Sequence, residues 1–269
     1  MDNKKKISPW KHPGQLYKEK PEAILAPLLF LISIILWEFI VRWFDVPKII
    51  LPAPTVIIKS LILLFKTGDL LYHFWITLFE TLSGFAIGGL LGLVLGILIA
   101  QFPLVERTMY PFMVAFQSIP KIAIAPIIII WAGYGLESKI IITALISFFP
   151  LMVNTVAGLQ ATSSEYSDML TSFTATKWQI FKMVKFPMAL PFIFAGLDMA
   201  GVMSVIGAIV GEFVGAKAGL GYVILYRQFQ LDMPGVFAVL ILLSLMGISI
   251  HLVISSLQKK IVFWEKQTK

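Results

Sequence analysis

The sequence contains no cysteine. That excludes a disulfide framework, a thiolate metal site and a cysteine nucleophile. Charge is scarce as well. Asp, Glu, Lys and Arg make up 14% of the chain and apolar residues 58%, where a soluble domain carries about a quarter charged and about half apolar residues. This balance excludes disorder and argues against a soluble enzyme. Only three histidines occur, His12, His73 and His251. They lie in different regions and form no local ligand pair of the H-E-x-x-H kind. No G-x-x-x-x-G-K-[ST] phosphate loop is present. The glycine-rich run from Gly215 to Gly221 lacks its Lys-Ser/Thr ending and reads as a flexible loop. No G-x-S-x-G turn marks a hydrolase. Any work driven by ATP would need the ATPase of another chain.

What the sequence does have is long apolar runs, with a mean hydropathy of +0.87. A membrane-crossing helix needs about 20 mostly apolar residues. Runs of that kind cover 22–44, 74–101, 108–134, 138–159, 187–214 and 234–258. The expectation is an all-α polytopic membrane protein with six transmembrane helices. Residues 1–21, rich in lysine and proline, stay in water, 22–258 form the membrane domain, and 259–269 a short charged tail. The first run is too long for a signal peptide, and no small-residue cleavage site follows it. After Leu51-Pro52-Ala53-Pro54, residues 54–66 read as a short amphipathic helix on the surface. An even number of spans puts both termini on one side. The N-terminal segment, Arg107, the 160–186 stretch and the tail hold fourteen Lys and Arg; the opposite side holds seven. The richer side is the cytoplasm. The same bias accounts for the net charge of +7 without the clustered basic face a nucleic acid would need.

Several features carry more than hydrophobicity. Gly84, Gly88, Gly92 and Gly96 recur every four residues in the second run. They form one stripe of a helix, which lets another backbone approach closely. The third run is interrupted by Pro111, Pro120 and Pro126, and each proline kinks or breaks a helix. Lys121 lies between two of them. An ionisable group inside a span is a functional candidate; the alternative is that Lys121 snorkels to an interface. The fifth run holds Asp198 and Glu212, 14 residues apart, about 3.9 turns at 3.6 residues per turn, so they project from similar faces. Glu212 lies near the outer end, where snorkelling is again an alternative, whereas Asp198 is nearer the middle. Residues 160–186 are long for a connection. Two short helices are expected in them, one with Ser164 as a candidate N-cap, the other over Thr176–Lys182 with Trp178 and Phe181 between basic residues. Together they make a protruding knob suited to docking a partner.

These residues resemble a known family. Thr77-Leu78 precedes the glycine ladder; Ile119-Pro120-Lys121, Ala125-Pro126 and Trp131-Ala132-Gly133-Tyr134-Gly135 follow. Then come Phe149-Pro150, the run Asn154–Leu159, Trp178–Phe181, Leu190-Pro191, Gly211-Glu212 and Gly219-Leu220-Gly221-Tyr222. In order and spacing, over about residues 50–260, the chain resembles the inner-membrane permease subunit of binding-protein-dependent ABC importers. It looks closest to the nitrate, sulfonate and taurine group, which includes permeases for thiamine-precursor pyrimidines and riboflavin. Ser204–Gly215 looks most like that last branch.

The resemblance implies a type I importer permease fold in the inner (cytoplasmic) membrane and alternating access by two permease copies. It also implies an ATPase subunit that binds ATP and magnesium, an extracytoplasmic substrate-binding protein, and no cofactor or metal in this chain. The family signature is E-A-A, a glycine six residues after its first residue, then Leu-Pro. Here those positions read Asp168-Met169-Leu170, Thr174 and Phe186-Pro187. By resemblance, the ATPase-coupling loop includes Asp168, Met169, Leu170, Thr174, Lys177, Trp178, Phe181 and Pro187. Thr174 departs from the pattern, because threonine does not take positive φ as cheaply as glycine. Asp198 is a second departure, standing where many relatives have a basic residue. The candidate translocation path comprises Lys121, Pro126, Asn154, Asp198 and Glu212. The competing reading is an ion-coupled secondary transporter with Lys121, Asp198 and Glu212 as its relay, although no inverted internal repeat is evident.

Overall fold

In a bilayer every backbone N–H and C=O must be satisfied inside the chain, so apolar runs become helices. The computed structural model describes residues 22–66, 68–162 and 164–264, and no strand occurs among them. The segment 1–21 with His12, Ser163 and residues 265–269 lie outside the described residues. The chain forms α1 (Glu22–Trp43), α2 (Pro54–Lys66), α3 (Asp69–Gln101), α4 (Pro103–Ser118), α5 (Lys121–Ala132) and α6 (Leu136–Gln160). It continues through α7 (Ser164–Ser172), α8 (Lys177–Ile180), a π-helical turn (Phe181–Lys185), α9 (Phe186–Gly215), α10 (Leu220–Phe229) and α11 (Met233–Ile261).

Five stretches are long and apolar enough to cross a membrane: Leu25–Trp43, Leu70–Gln101, Leu136–Gln160, Lys177–Gly215 and Met233–Ile261. The third expected span differs. It is two helices of 16 and 12 residues with a break at Ile119-Pro120. Pro120 has no N–H to continue the first helix, and it holds Ile119 extended, at φ −71 and ψ 128. Pro111 and Pro126 stay inside their helices.

A second difference concerns the 160–186 stretch. Its second helix is not a separate knob. It runs through the π turn straight into α9, so that Lys177–Gly215 is one helical stretch of 39 residues. The wider turn sits just before Pro187, whose missing N–H would break a regular ladder at that point. Ser164 opens α7 as its first helical residue rather than as its cap.

The amphipathic α2 begins and ends at the expected residues but does not simply lie on the surface. It buries Ile57 and Leu64 in the main core with Leu220, Val239 and Leu242, while Ile58, Ile62 and Leu63 face outward. A side chain from α1 fixes its start. Glu38 accepts hydrogen bonds from the Thr55 N–H (3.0 Å) and the Thr55 hydroxyl (2.8 Å), and Arg42 pairs with the same carboxylate at 2.5 Å.

The central element is α6, clasped by two glycine stripes. On one side α3 presents Gly84 to Thr143, Gly88 to Ala144 and Ser147, Gly92 to Phe148 and Gly96 to Thr155. On the other, α9 presents Gly196 to Leu151 and Asn154, Gly207 to Thr143 and Gly211 to Lys139. A Cβ at Gly92 would stand 2.6 Å from the Phe148 carbonyl oxygen, and one at Gly96 2.8 Å from Thr155 Cβ. Backbones this close leave no room for even a methyl group, and such contact replaces the hydrophobic drive that lipid cannot supply. Gly88→Ala is expected to destabilise the chain by about 1–3 kcal/mol through overpacking. Gly247→Ala, on α11 with no atom within 4 Å of the added Cβ, should instead raise stability by up to about 1 kcal/mol through helix propensity. Thermal unfolding midpoints in detergent would measure both; equal effects would remove the close-contact explanation.

Candidate functional site

The loop after α6 closes with a defined turn. The Ala175 N–H donates to the Leu170 carbonyl (3.0 Å) and the Thr174 N–H to the Thr171 carbonyl (2.9 Å). These are the two bonds of a Schellman ending, whose C′ residue takes the left-handed conformation and is usually glycine. Here that residue is Thr174, at φ 63. The turn is therefore kept, with a β-branched residue strained in it. A capping box follows at once. The Thr176 hydroxyl accepts from the Gln179 N–H (3.4 Å), and the Gln179 side chain accepts from the Thr176 N–H (2.7 Å).

These two closures hold α7 and the start of α8 in a fixed surface. Met169, Phe173, Trp178 and Met183 stand exposed on it. Trp178 stacks on Phe181 at 5.5 Å between centroids. Asp168, Lys177 and Lys182 are at its rim, while Leu170 and Pro187 are half-buried. An exposed apolar patch beside charged side chains is the kind of surface that marks a protein or membrane contact.

The interior of the helix bundle holds a polar junction. Thr77, Glu80 and Thr81 on α3, Lys139 and Thr143 on α6, and Glu212 on α9 are all buried. Three consecutive amides at the start of α10 are received by three side chains. Gly219 donates to His73 Nδ1 (3.0 Å), Leu220 to Thr77 Oγ1 (2.7 Å) and Gly221 to Glu212 Oε2. The Thr77 hydroxyl in turn donates to Glu212 Oε1 at 2.6 Å. Gly219 must be glycine, since its φ is 115 and a Cβ there would strike the Glu212 carboxyl. These bonds satisfy amides that a helix start always leaves open. Glu212 is 1% exposed, which overturns snorkelling: its carboxyl is turned inward. Beside it lies Glu80, fully buried, whose oxygens receive no N–H or hydroxyl hydrogen bond and face the Glu212 carboxyl. Lys139 donates to the carbonyls of Tyr134 and Gly135, both at 2.9 Å.

Sequence reasoning missed Glu80, His73 and the partner of Asp198. The signal for Glu80 was available: Thr77, Glu80 and Thr81 are three and four residues apart, one face of a helix. No such local spacing relates Asp198 to His251, which meet only in the fold, His251 Nδ1 lying 2.6 Å from Asp198 Oδ1.

The five candidate path residues do not converge. Lys121 begins α5 on the wall of a cavity of about 740 Å³ between α3, α4, α5 and α6, lined by Phe102, Phe112, Phe116 and Phe148. Its ammonium stands 5.0 Å from the Phe149 ring centroid, a cation–π distance. Pro126 is exposed on α5. Asn154 on α6 donates to the Pro150 carbonyl at 2.8 Å and contacts Met199 of α9. Asp198 pairs with α11, and Glu212 belongs to the buried junction. Lys121, Asp198 and Glu212 thus sit in three different surroundings and form no continuous relay. Among the described residues no cluster of three His, Cys, Asp or Glu could hold a metal ion.

Comparison with known proteins agrees with this architecture. Residues 92–263 match the family model described as the binding-protein-dependent transport system inner membrane component. The chain is 39% identical over 255 residues to the formylaminopyrimidine transport permease protein ThiX of Halalkalibacterium halodurans, covering 93% of this chain and 99% of the relative. It is 32% identical to the riboflavin transport system permease protein RibX of Chloroflexus aurantiacus, covering 90% and 91%. It is 30% identical to the putative aliphatic sulfonates transport permease protein SsuC of Bacillus subtilis, covering 94% and 91%. Among solved structures, an inward-facing chain of the MetNI methionine ABC transporter aligns with a TM-score of 0.65 at 21% identity, covering 73% of this chain and 97% of that one.

Two variants test the geometry. Thr174→Gly should stabilise the chain by about 1 kcal/mol, because glycine takes positive φ freely; a lower melting midpoint in detergent would contradict the strained turn. Thr77→Val leaves the Leu220 amide without its acceptor and should cost about 1–3 kcal/mol, whereas Thr77→Ser should cost much less. Faster hydrogen exchange at the Leu220 amide in Thr77→Val alone would locate the loss.

Proposed function

Because the chain belongs to the family of binding-protein-dependent transport system inner membrane components, we propose that it forms, with a second copy of itself, the path by which an ATP-driven importer brings a small solute into the cytoplasm. A separate ATPase subunit, which binds ATP and magnesium, docks on the surface made by α7 and α8. A substrate-binding protein delivers the solute from outside. Both termini and the 160–186 stretch face the cytoplasm, and the chain resides in the cytoplasmic membrane. The ATPases close on ATP, the docked helices move with them, and the helices around α6 alternate between outward and inward openings. The cargo is a nitrogen heterocycle of the pyrimidine or riboflavin type rather than an aliphatic sulfonate. The 39% identity to the relative named for formylaminopyrimidine transport supports this reading.

The observation that carries the docking role is the exposed patch of Met169, Phe173, Trp178 and Met183, held by a Schellman turn and a capping box on a long loop between two membrane-length helices. A solvated connection needs neither the apolar surface nor the rigid closures. Purifying the chain in mild detergent from its native cell should bring down a phosphate-loop ATPase in stoichiometric amount. Phe173→Asp with Trp178→Asp should release that ATPase and lower ATP-driven uptake in proteoliposomes by at least about tenfold, the loss typical of an interface anchor, without preventing membrane insertion. A chain that purifies alone, with uptake that collapses with the proton gradient and ignores ATP, would overturn the importer reading.

A further inference from the structure

Asp198 and His251 lie well inside α9 and α11, and both keep part of their surface open, with side-chain exposures of 34% and 49%. A carboxyl group facing hydrocarbon at that depth costs about 2.5–3.5 kcal/mol. Lipid is therefore a poor cover for this face. A groove of about 630 Å³ runs beside the pair, walled by Val202 and Ile206 from α9 and by Leu243 and Ile248 from α11, with Ser244 and His251 as its polar lining. Its floor at Gly247 is open, since a Cβ there meets no atom within 4 Å. The exposed stripe of α9 (Phe192, Met199, Val202, Ile206) continues from the groove toward Asn154, which touches Met199.

The pair uses one oxygen of Asp198 and one ring nitrogen of His251. The other oxygen and Nε2 still need partners. An apolar helix laid over them would strand both, at about 1–3 kcal/mol for each polar group left unsatisfied. Water satisfies both, and the groove has the volume of a small-molecule site.

We propose that the α9–α11 groove, which His251 lines while holding Asp198 just beyond its lining, is a water-filled stretch of the transport path whose polar pair selects cargo, accepting neutral or cationic solutes with N–H donors and rejecting sulfonates and carboxylates. This rests on the importer reading above. Asp198 supplies an acceptor and repels an anion, His251 supplies a second polar contact, and the apolar walls receive the flat faces of a ring.

The absence of cysteine makes the chain its own background for the test. Gly247→Cys is introduced in the assembled complex in membranes, with Leu245→Cys, exposed on another face of α11, as the control. Each is treated with a cationic (trimethylammonium-ethyl) and an anionic (sulfonatoethyl) methanethiosulfonate, both water-soluble. Rates are normalised to those of a free thiol, with and without nucleotide trapping. Gly247→Cys should react and Leu245→Cys should not. At Gly247→Cys the cationic reagent should be favoured by about tenfold, the effect of one charge at roughly 6 Å in water on probes of opposite sign. Asp198→Asn should bring that ratio to about one, and His251→Gln should leave a preference for the cation.

Labelling of Gly247→Cys by a membrane-permeant maleimide alone, in both nucleotide states, would make the groove lipid-facing and sink the proposal. A disulfide between two Gly247→Cys copies together with no reaction toward either charged reagent would make it a closed protein seam and overturn the proposal equally. Reaction without charge preference would remove the selective role. ATP-driven uptake is measured separately on the complex with the unsubstituted chain, so failure of the importer reading would show there and leave the labelling result interpretable.

Discussion

Close backbone approach along α6 is the constraint on which the rest of the structure depends. Lipid gives apolar helices no reason to prefer one another over acyl chains, so association must come from contacts that lipid cannot match. Gly84, Gly88, Gly92 and Gly96 on one side and Gly196, Gly207 and Gly211 on the other bring two helix backbones onto α6. Thr143 is held between Gly84 and Gly207, and its hydroxyl turns back to the Lys139 carbonyl at 2.7 Å. With three helices this close, the polar side chains they carry are shut away from both lipid and water.

That closeness explains why the polar junction can exist at membrane depth. A buried carboxyl group without hydrogen bonds costs several kcal/mol. Glu212 is supplied with donors by Thr77 and by the first amides of α10, so one group's burial and another element's open amides cancel. The junction also determines where α10 begins, because His73, Thr77 and Glu212 receive three successive N–H groups that no residue of α10 itself could receive. A change on α3 is therefore felt at α10. In the proposed importer, where an ATPase would work at the opposite end, such rigid linkage has a use.

The proposed docking surface follows a different logic. It is local, built from residues 164–186, and its shape depends on two short-range closures. Threonine at the left-handed position shows that the turn geometry matters more than the residue that usually provides it. The Schellman bonds and the capping box over-determine the conformation, and Thr174 bears the strain. Continuity of α8 with α9 through the π turn would give a docked partner direct leverage on the helix that carries Asp198 and Glu212.

Much of this was legible in the chain itself. Apolar run length marked six spans, five of which are membrane-length helices while the third is broken, and amphipathic patterning gave the bounds of α2. Four-residue glycine spacing determined which face of α3 is packed. Proline determined the break before α5. These are one-dimensional signals, since helix period and the missing proline amide act within a few residues. The order of small motifs identified the family; the docking role of Asp168, Thr174 and Trp178 is what the resemblance implies. Only the tertiary structure decided where the ionisable groups point. Nothing near Asp198 in sequence announces His251, 53 residues away. Nothing near Glu212 announces that it faces Glu80 and Thr77 across two helices rather than reaching for the membrane surface. A side chain's partner at membrane depth depends on the rotation of each helix about its own axis, and that rotation is set by packing against neighbours that the local sequence does not contain.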